Sequence, residues 1–382
     1  MRIAVIGAGA AGLLFSLLIR RRFPAWEVET FEQNPEGATY GFGVVFSDGA
    51  LAFLERDEPE LSHILEAAMQ RWPMQRLVHR GESVEVDGNG FSAIGRLALQ
   101  EVLQGMCRRI GVNIRYSRAI SSLDDLPGAD LVVGADGSNS LVRNALAAQF
   151  VPSVEVLTNR FAWYGTTQLF DCLTLTFREG EHGAFVAHHY RHAASMSTFV
   201  VECDEATWRR AGLDHMSDAE SRTYCEGVFA PDLGGHALES NKSVWRQFPL
   251  VRNGRWIARR SPSGYAVLLG DALRTVHFSI GSGTRLAFED AIALERAFAE
   301  HGEDLPLALE CFERERRPVV EKLLAAANAS SHWYEKFSEK MKLEPWQLAY
   351  DYMTRSGRMT EERLRGLAPK FMDRIDAERG RN

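Results

Sequence analysis

An α/β fold, with a parallel sheet interrupted by a second, β-rich part and followed by a helical tail, is predicted by three strand-and-glycine signatures. They are Met1-Arg-Ile-Ala-Val-Ile-Gly-Ala-Gly-Ala-Ala-Gly12, Leu131-Val-Val-Gly-Ala-Asp-Gly137 and Tyr265-Ala-Val-Leu-Leu-Gly-Asp271. Each is a short apolar run that stops at glycine, as strands buried on both faces of a parallel sheet do.

In the first signature Ile3 to Ile6 read as a buried strand, and Gly7, Gly9 and Gly12 complete a G-x-G-x-x-G turn into a helix. Gly7 permits the tight turn, Gly9 lets backbone approach a pyrophosphate, and Gly12 lets the helix sit close to the sheet. The helix N-terminus, with Ala11 in its first turn, presents N–H groups to phosphate. Val28 to Phe31 supply the second strand, and Glu32, with Gln33 beside it, follows Gly12 by twenty residues. A carboxylate there accepts hydrogen bonds from an adenosine ribose. The order of strand, glycines, helix and acid describes a Rossmann-like dinucleotide site, against the plainer reading of a glycine-rich turn without ligand. By itself it leaves NAD and FAD both open.

The two later signatures separate them. Leu131 to Val133 form a strand, and Asp136-Gly137 turns into a helix that Ser138 or Asn139 caps. Gly270-Asp271 ends the third strand, where a carboxylate is placed to bind a ribityl hydroxyl. Strand-Gly-Asp turns are common singly, but the ordered set of three points to FAD. Gly281-Ser282-Gly283 then leads into an apparent helix from Thr284 to Ala299. Its N-terminus suits the negative charge of a reduced flavin, or is a simple capping turn.

A length of 382 residues, 45% of them hydrophobic and 25% charged, allows two domains or one composite unit. The net charge of −7 argues against nucleic-acid binding. Ile3 to Ile19 carries no charge, but its glycines fit the dinucleotide motif and Arg20, Arg21 and Arg22 follow it, so it is read as buried strand and helix. A cytoplasmic protein without membrane segment is expected. Five scattered cysteines with no C-x-x-C indicate reduced thiols and no metal site. Phe161–Arg260 holds short β-branched and aromatic runs that suggest a mixed or antiparallel sheet, and Asn253-Gly254 between apolar residues signals a hairpin. Residues 326–382 read as charged helices, a clamp or dimer surface.

The triplet of motifs resembles the single-component flavoprotein aromatic hydroxylases, the para-hydroxybenzoate hydroxylase superfamily, over nearly the whole chain. The likeness sharpens in Gly41-Phe-Gly-Val-Val-Phe-Ser-Asp48, Phe91-Ser-Ala-Ile-Gly-Arg96, Trp163-Tyr-Gly-Thr-Thr-Gln-Leu-Phe170, Ser197-Thr-Phe-Val-Val-Glu-Cys203 and His277-Phe-Ser-Ile-Gly-Ser-Gly-Thr284. These segments look like the monooxygenase part of the salicylyl-CoA 5-hydroxylase and 2-aminobenzoyl-CoA monooxygenase group, and are similar to the violacein-pathway hydroxylase. The tail from Leu343 to Arg358 favours the CoA-ester group. Long members of that group continue into a reductase barrel, which is not expected here.

The resemblance implies a discontinuous FAD domain over residues 1–72, 92–160 and 262–325, a substrate sheet over 73–91 and 161–261, and a helical segment over 326–382. It implies NADH or NADPH as a transient co-substrate without a nucleotide fold of its own, O2, and hydroxylation of a small aromatic through a flavin hydroperoxide. The first-choice substrate is an ortho-hydroxy- or ortho-aminobenzoyl-CoA, with a tryptophan-derived indole as the alternative. A monomer or homodimer is expected. Val44 and Val45 match the loop against the flavin ring, and Arg96 the arginine that reaches the pyrophosphate.

His277 stands at the flavin-adjacent proline position and Arg274 at a position commonly histidine. His277 and His188 are the candidate catalytic groups, against the reading that they are satisfied structurally. Tyr190, Phe278 and Trp163 are candidate ring contacts. Arg246, Arg252, Arg255, Arg259 and Arg260 meet CoA phosphates or form a solvated hairpin. An amine oxidase and a non-catalytic flavin carrier remain rival functions.

Overall fold

The strand Arg2–Ile6 lies inside a six-stranded sheet whose order is Ile257–Arg259, Tyr265–Leu268, Leu131–Gly134, Arg2–Ile6, Glu27–Phe31, Asn113–Arg115. All neighbours run parallel except Ile257–Arg259, which is antiparallel to Tyr265–Leu268. Ile6 pairs with Gly134, and Gly134 with Leu268, so the three strands bearing the glycine signatures are adjacent and end at one edge. Val5, Leu131, Val133, Ala266 and Val267 are fully buried, as residues of a sheet covered on both faces must be. The helix Ala10–Arg22 packs beside Gly283–His301 and buries Leu13, Leu14, Phe15, Leu17, Leu18 and Ile19. Its charge-free run is therefore core, and no helix among the described residues is long and apolar enough to cross a membrane.

The computed structural model describes residues 1–262 and 264–381, and the chain divides into two units. This sheet belongs to the first, made of Met1–Thr39, Leu97–Val156 and Pro249–Ala325. The second comprises Tyr40–Arg96, Leu157–Phe248 and Ala326–Asn382. The division departs from the motif-based boundaries. Residues 40–72 join the second unit because Gly43–Ser47 and Gln70–His79 both pair with Glu82–Gly95. Residues 326–382 are no separate segment but part of that unit's core.

The Asn253-Gly254 hairpin is also corrected. Pro249–Asn253 pairs with Pro152–Val156, not with the next strand Ile257–Arg259. Neither Asn253 nor Gly254 takes the positive φ that a type I′ turn needs. The Asn253 amide instead donates to the Leu273 carbonyl at 2.6 Å, and the Gly254 N–H to Val151 at 3.0 Å.

The second unit holds an eight-stranded sheet ordered Leu238–Ser240, Arg160–Thr166, Met196–Cys203, Gly183–Ala193, Leu173–Gly180, Gln70–His79, Glu82–Gly95, Gly43–Ser47. Its pairs are antiparallel except Leu173–Gly180 with Gln70–His79. Both faces are covered. Val84, Val86, Leu175, Phe177 and Val186 pack under Trp333, Tyr334, Tyr352, Phe371 and Met372 of the C-terminal helices. Tyr164, Phe185, Phe199 and Val201 pack under Cys225, Phe229 and Leu233. Gly88, at φ +65°, admits the tail closely, since a Cβ there would lie 2.0 Å from the Leu367 carbonyl oxygen. The tail is thus half of a hydrophobic core.

Four histidines of this unit, His79, His188, His189 and His192, are buried, and desolvation lowers the pKa of each. Desolvation pushes His188 and His189 down to about 3 and His192 to about 4, from an ordinary value of 6.5. The unfolded chain then binds more protons than the folded one below 6.5. Stability is complete above that value and is lost as pH falls toward the folded values. The urea midpoint should therefore be lower at pH 5 than at pH 7, each histidine contributing up to about 1.4 kcal/mol per pH unit. His189 stacks on Phe199 with centroids 5.1 Å apart. His189→Phe should keep that packing and reduce the pH dependence; an unchanged difference between the two midpoints would count against this reading.

Candidate active site

The first glycine turn is shaped by backbone lying against backbone. Gly7 has φ +100°, its N–H donates to the Phe31 carbonyl at 2.8 Å, and a Cβ on it would lie 2.3 Å from the Ala135 oxygen. A Cβ on Gly12 would lie 2.0 Å from the Gly7 oxygen. Gly9, by contrast, is exposed, with nothing within 4 Å of its Cβ position. The helix Ala10–Arg22 opens without a side-chain cap and without an acid in its first turn, which leaves its N-terminal amides to an anion. Glu32 is held in place: Oε2 accepts the Ala8 N–H at 3.0 Å, and Oε1 accepts the Asn34 backbone and side-chain amides at 2.9 and 2.7 Å. Gln33 beside it is exposed.

The second and third turns meet the first. Asp136 does not point its bonded oxygen at a ligand: Oδ2 accepts the N–H groups of Leu141 and Val142 at 2.7 and 3.3 Å and so starts the helix Leu141–Ala145. Its Oδ1 is buried without a partner, and burial above all holds the carboxyl above the usual range. Gly137 supplies φ +81° after it. Gly270, at φ +58°, would place a Cβ 3.2 Å from that of Ala11 and 3.7 Å from that of Ala287. Asp271 is exposed at the start of the one-turn helix Gly270–Leu273.

Arg143, in the helix Leu141–Ala145 that follows the second signature and not singled out from the sequence, ties the second and third turns together. Its Nη2 donates to Ser138 O at 2.5 Å and its Nη1 to Ala272 O at 3.1 Å. The signal was an arginine two residues past the capping Ser140–Leu141 step, unremarkable without the fold.

Gly281, at φ +58°, ends a 3-10 turn over Phe278–Ile280, and Ser282 precedes the helix Gly283–His301 without capping it by its side chain. Thr284 lies in that helix's first turn. His277 is 2% exposed and caps the 3-10 turn, its Nδ1 accepting the Ser279 N–H at 3.4 Å. In the neutral ring the proton is then assigned to Nε2. Phe278 lies beside it, centroids 4.2 Å apart, half-buried.

A family model described as an FAD binding domain matches residues 127–327. The chain is 40% identical to a salicyloyl-CoA 5-hydroxylase from a Streptomyces species, over 98% of this chain and 73% of that one. It is 36% identical to a protodeoxyviolaceinate monooxygenase from Chromobacterium violaceum, over 93% and 94% of the two chains. A 3-hydroxy-4-methyl-anthranilyl-(aryl-carrier protein) 5-monooxygenase from Streptosporangium sibiricum is 32% identical over 94% and 95%. The chain belongs to the FAD-dependent aromatic monooxygenases.

FAD fits the first unit on its own geometry. The open side of Gly9, the uncapped helix start at Ala10, the fixed Glu32 carboxylate and the exposed Asp271 all border strand ends at the same edge of the parallel sheet. The remaining residues expected at the flavin, Val44, Val45 and Arg96, belong to the second unit. Val44 and Val45 pair with Ile94 and Ala93 in its sheet. Arg96 is exposed, opens the helix Arg96–Arg109, and sets its guanidinium 5.7 Å from the centroid of the half-buried Trp163.

Two expectations change in this unit. His188 does not face a pocket: it is stacked on Tyr334, centroids 5.0 Å apart, with Glu202 3.7 Å from its Nε2, inside the core that the tail completes. Tyr190, on the same strand face, is 3% exposed and donates its hydroxyl to the Gly43 carbonyl at 3.0 Å, so it holds backbone and not a substrate ring. The basic run is similarly committed. Arg252 donates to Val251 and Thr275 carbonyls, and Arg260 to those of Leu123, Leu126 and Ala129.

Gly12→Val should cost more than about 3 kcal/mol, because the closest contact is backbone and cannot yield; melting temperature and flavin content of the purified variant check it. Asp271→Ala, at an exposed position, should change stability by less than about 0.5 kcal/mol yet lower the fraction of FAD retained through gel filtration. Full retention would remove Asp271 from the site.

Proposed function

We propose that the chain hydroxylates the ring of an ortho-hydroxy- or ortho-aminobenzoyl group carried as a CoA thioester, with NADH or NADPH as electron donor and O2 as oxidant. The family membership supports aromatic monooxygenation. The observation that carries the substrate is that two of the similar proteins are named for an aromatic acyl group on a carrier, CoA or aryl-carrier protein, and that each is matched over more than nine-tenths of this chain. An ortho donor enriches the ring for attack by electrophilic oxygen.

In this reading the first unit holds FAD. The amides after Gly9 take the pyrophosphate, Glu32 the adenosine ribose, Asp271 the ribityl chain, and the N-terminus of Gly283–His301 the pyrimidine end of the ring. Bound there, FAD would supply hydride acceptance and oxygen activation. The helix terminus would favour negative charge at that end of the site because its amides are already oriented. His277 is a positioning residue: its buried ring fixes the 3-10 turn that delivers Gly281 to that helix. The nicotinamide binds transiently, since the second unit is a mostly antiparallel sheet and not a second nucleotide fold.

Arg252, Arg259 and Arg260 donate to carbonyls, Arg259 to that of Pro262 at 2.6 Å, which leaves the exposed Arg246 and Arg255 as the members of the run for a CoA phosphate. NADH and NADPH oxidation and product mass should be measured with salicylyl-CoA, 2-aminobenzoyl-CoA, free salicylate and tryptophan-derived indoles. The thioesters are expected to accelerate oxidation and to gain one oxygen atom. Turnover of an indole or free acid alone, with no acceleration by either thioester, would overturn the CoA-ester assignment, and turnover of the indole alone would favour the tryptophan-derived substrate.

A further inference from the structure

Gly270 is gripped on both of its peptide groups by one buried ion pair. Asp290, fully buried, accepts the Gly270 N–H on Oδ2 at 3.2 Å, and the same oxygen lies 2.6 Å from Arg274 Nη1. Arg274 Nη1 in turn donates to the Gly270 carbonyl at 3.2 Å. The pair is anchored from behind. Arg316 Nε lies 3.1 Å from Asp290 Oδ1, Arg316 Nη2 lies 2.5 Å from Glu289, and Arg285 Nε takes the other Glu289 oxygen at 2.8 Å. Asp290, Glu289 and Arg285 all lie on the helix Gly283–His301, so this ladder of charge joins that helix to the residue immediately before Asp271.

We propose that Arg274 and Asp290 are positioning residues for the cofactor: they lock Gly270 at φ +58° so that Asp271 presents its carboxylate to the ribityl half of FAD. The proposal rests on the FAD placement given above. The clamp leaves Gly270 no rotational freedom, since turning either peptide would strip a buried donor or acceptor of its partner. The guanidinium reaches the Asp290 carboxylate and the Gly270 carbonyl together.

A purely stabilising role fits Arg274 poorly. Its Nε and Nη2 are buried without hydrogen-bond partners, so the ion pair made by Nη1 offsets only part of the guanidinium's desolvation cost. Arg274→Met removes that cost and leaves Asp290 with Arg316 and the Gly270 N–H.

The test is titration of flavin-free protein with FAD and, separately, with ADP, which occupies only the Gly7–Gly12 and Glu32 half. For Arg274→Met the Kd for FAD should rise about tenfold or more while that for ADP stays within about twofold, with the melting temperature of the flavin-free protein not lowered. Arg274→Lys, which keeps the charge but not the fork, should show a smaller rise for FAD and none for ADP. An unchanged Kd for FAD in Arg274→Met, or equal weakening of FAD and ADP, would overturn the proposal. Failure of the unaltered protein to bind ADP or FAD would instead overturn the placement on which it rests.

Discussion

The close approach of backbone at Gly7 and Gly12 is the constraint on which the first unit depends. With a Cβ on Gly12 only 2.0 Å from the Gly7 oxygen, the helix Ala10–Arg22 can lie in one place only if no side chain exists there. That placement brings Ala11 to Gly270 and Ala135 to Gly7, so the three strand ends share contacts as well as an edge. It also leaves the helix start uncapped at Gly9, the one glycine of the motif with open space. The same three residues thus meet a packing requirement and leave an open, uncapped helix start of the kind that suits an anion.

This is why the first unit was legible in sequence. Its information is local: apolar runs of four or five residues, glycines at fixed offsets and acids at strand ends. Each follows from backbone geometry that does not depend on distant partners. The second unit was legible only as a class, because residues such as Phe185, Val186, Ala187 and His188 are buried on both faces and their alternation carries no polar signal. His188 and Tyr190 do share a strand face, as their spacing requires. What that face meets, Tyr334 from more than a hundred residues away, has no local signature. The tail reads in sequence as a clamp or dimer surface because its charges are conspicuous. The apolar residues that make it core, Trp333, Tyr334, Tyr352 and Phe371, are spread over several short helices.

The Asn253-Gly254 pair shows a different failure, in which a strong local preference loses to a tertiary demand. The carbonyls of Ala272 and Leu273, at the end of a one-turn helix, need donors. The Asn253 amide supplies them, reaching Leu273 at 2.6 Å and Ala272 at 3.4 Å. Turning the chain at Asn253 would withdraw that amide, and Pro249–Asn253 already has a partner strand in Pro152–Val156.

The same demand explains how the unit uses its buried cations. Irregular backbone collects where parallel strands end in ligand-binding turns, and each turn exposes carbonyls that no ladder satisfies. Arg143 takes those of Ser138 and Ala272, Arg252 those of Val251 and Thr275, Arg260 those of Leu123, Leu126 and Ala129, and Arg274 that of Gly270. A run of arginines near a nucleotide fold suggests phosphate binding, yet a guanidinium with its five donors serves carbonyls equally well. Burial separates the two uses: Arg143 and Arg274 are 4% and 3% exposed and serve carbonyls, while Arg255 remains at the surface. An arginine in such a sequence therefore reads as a ligand residue only after the carbonyls of the neighbouring turns have been assigned their donors.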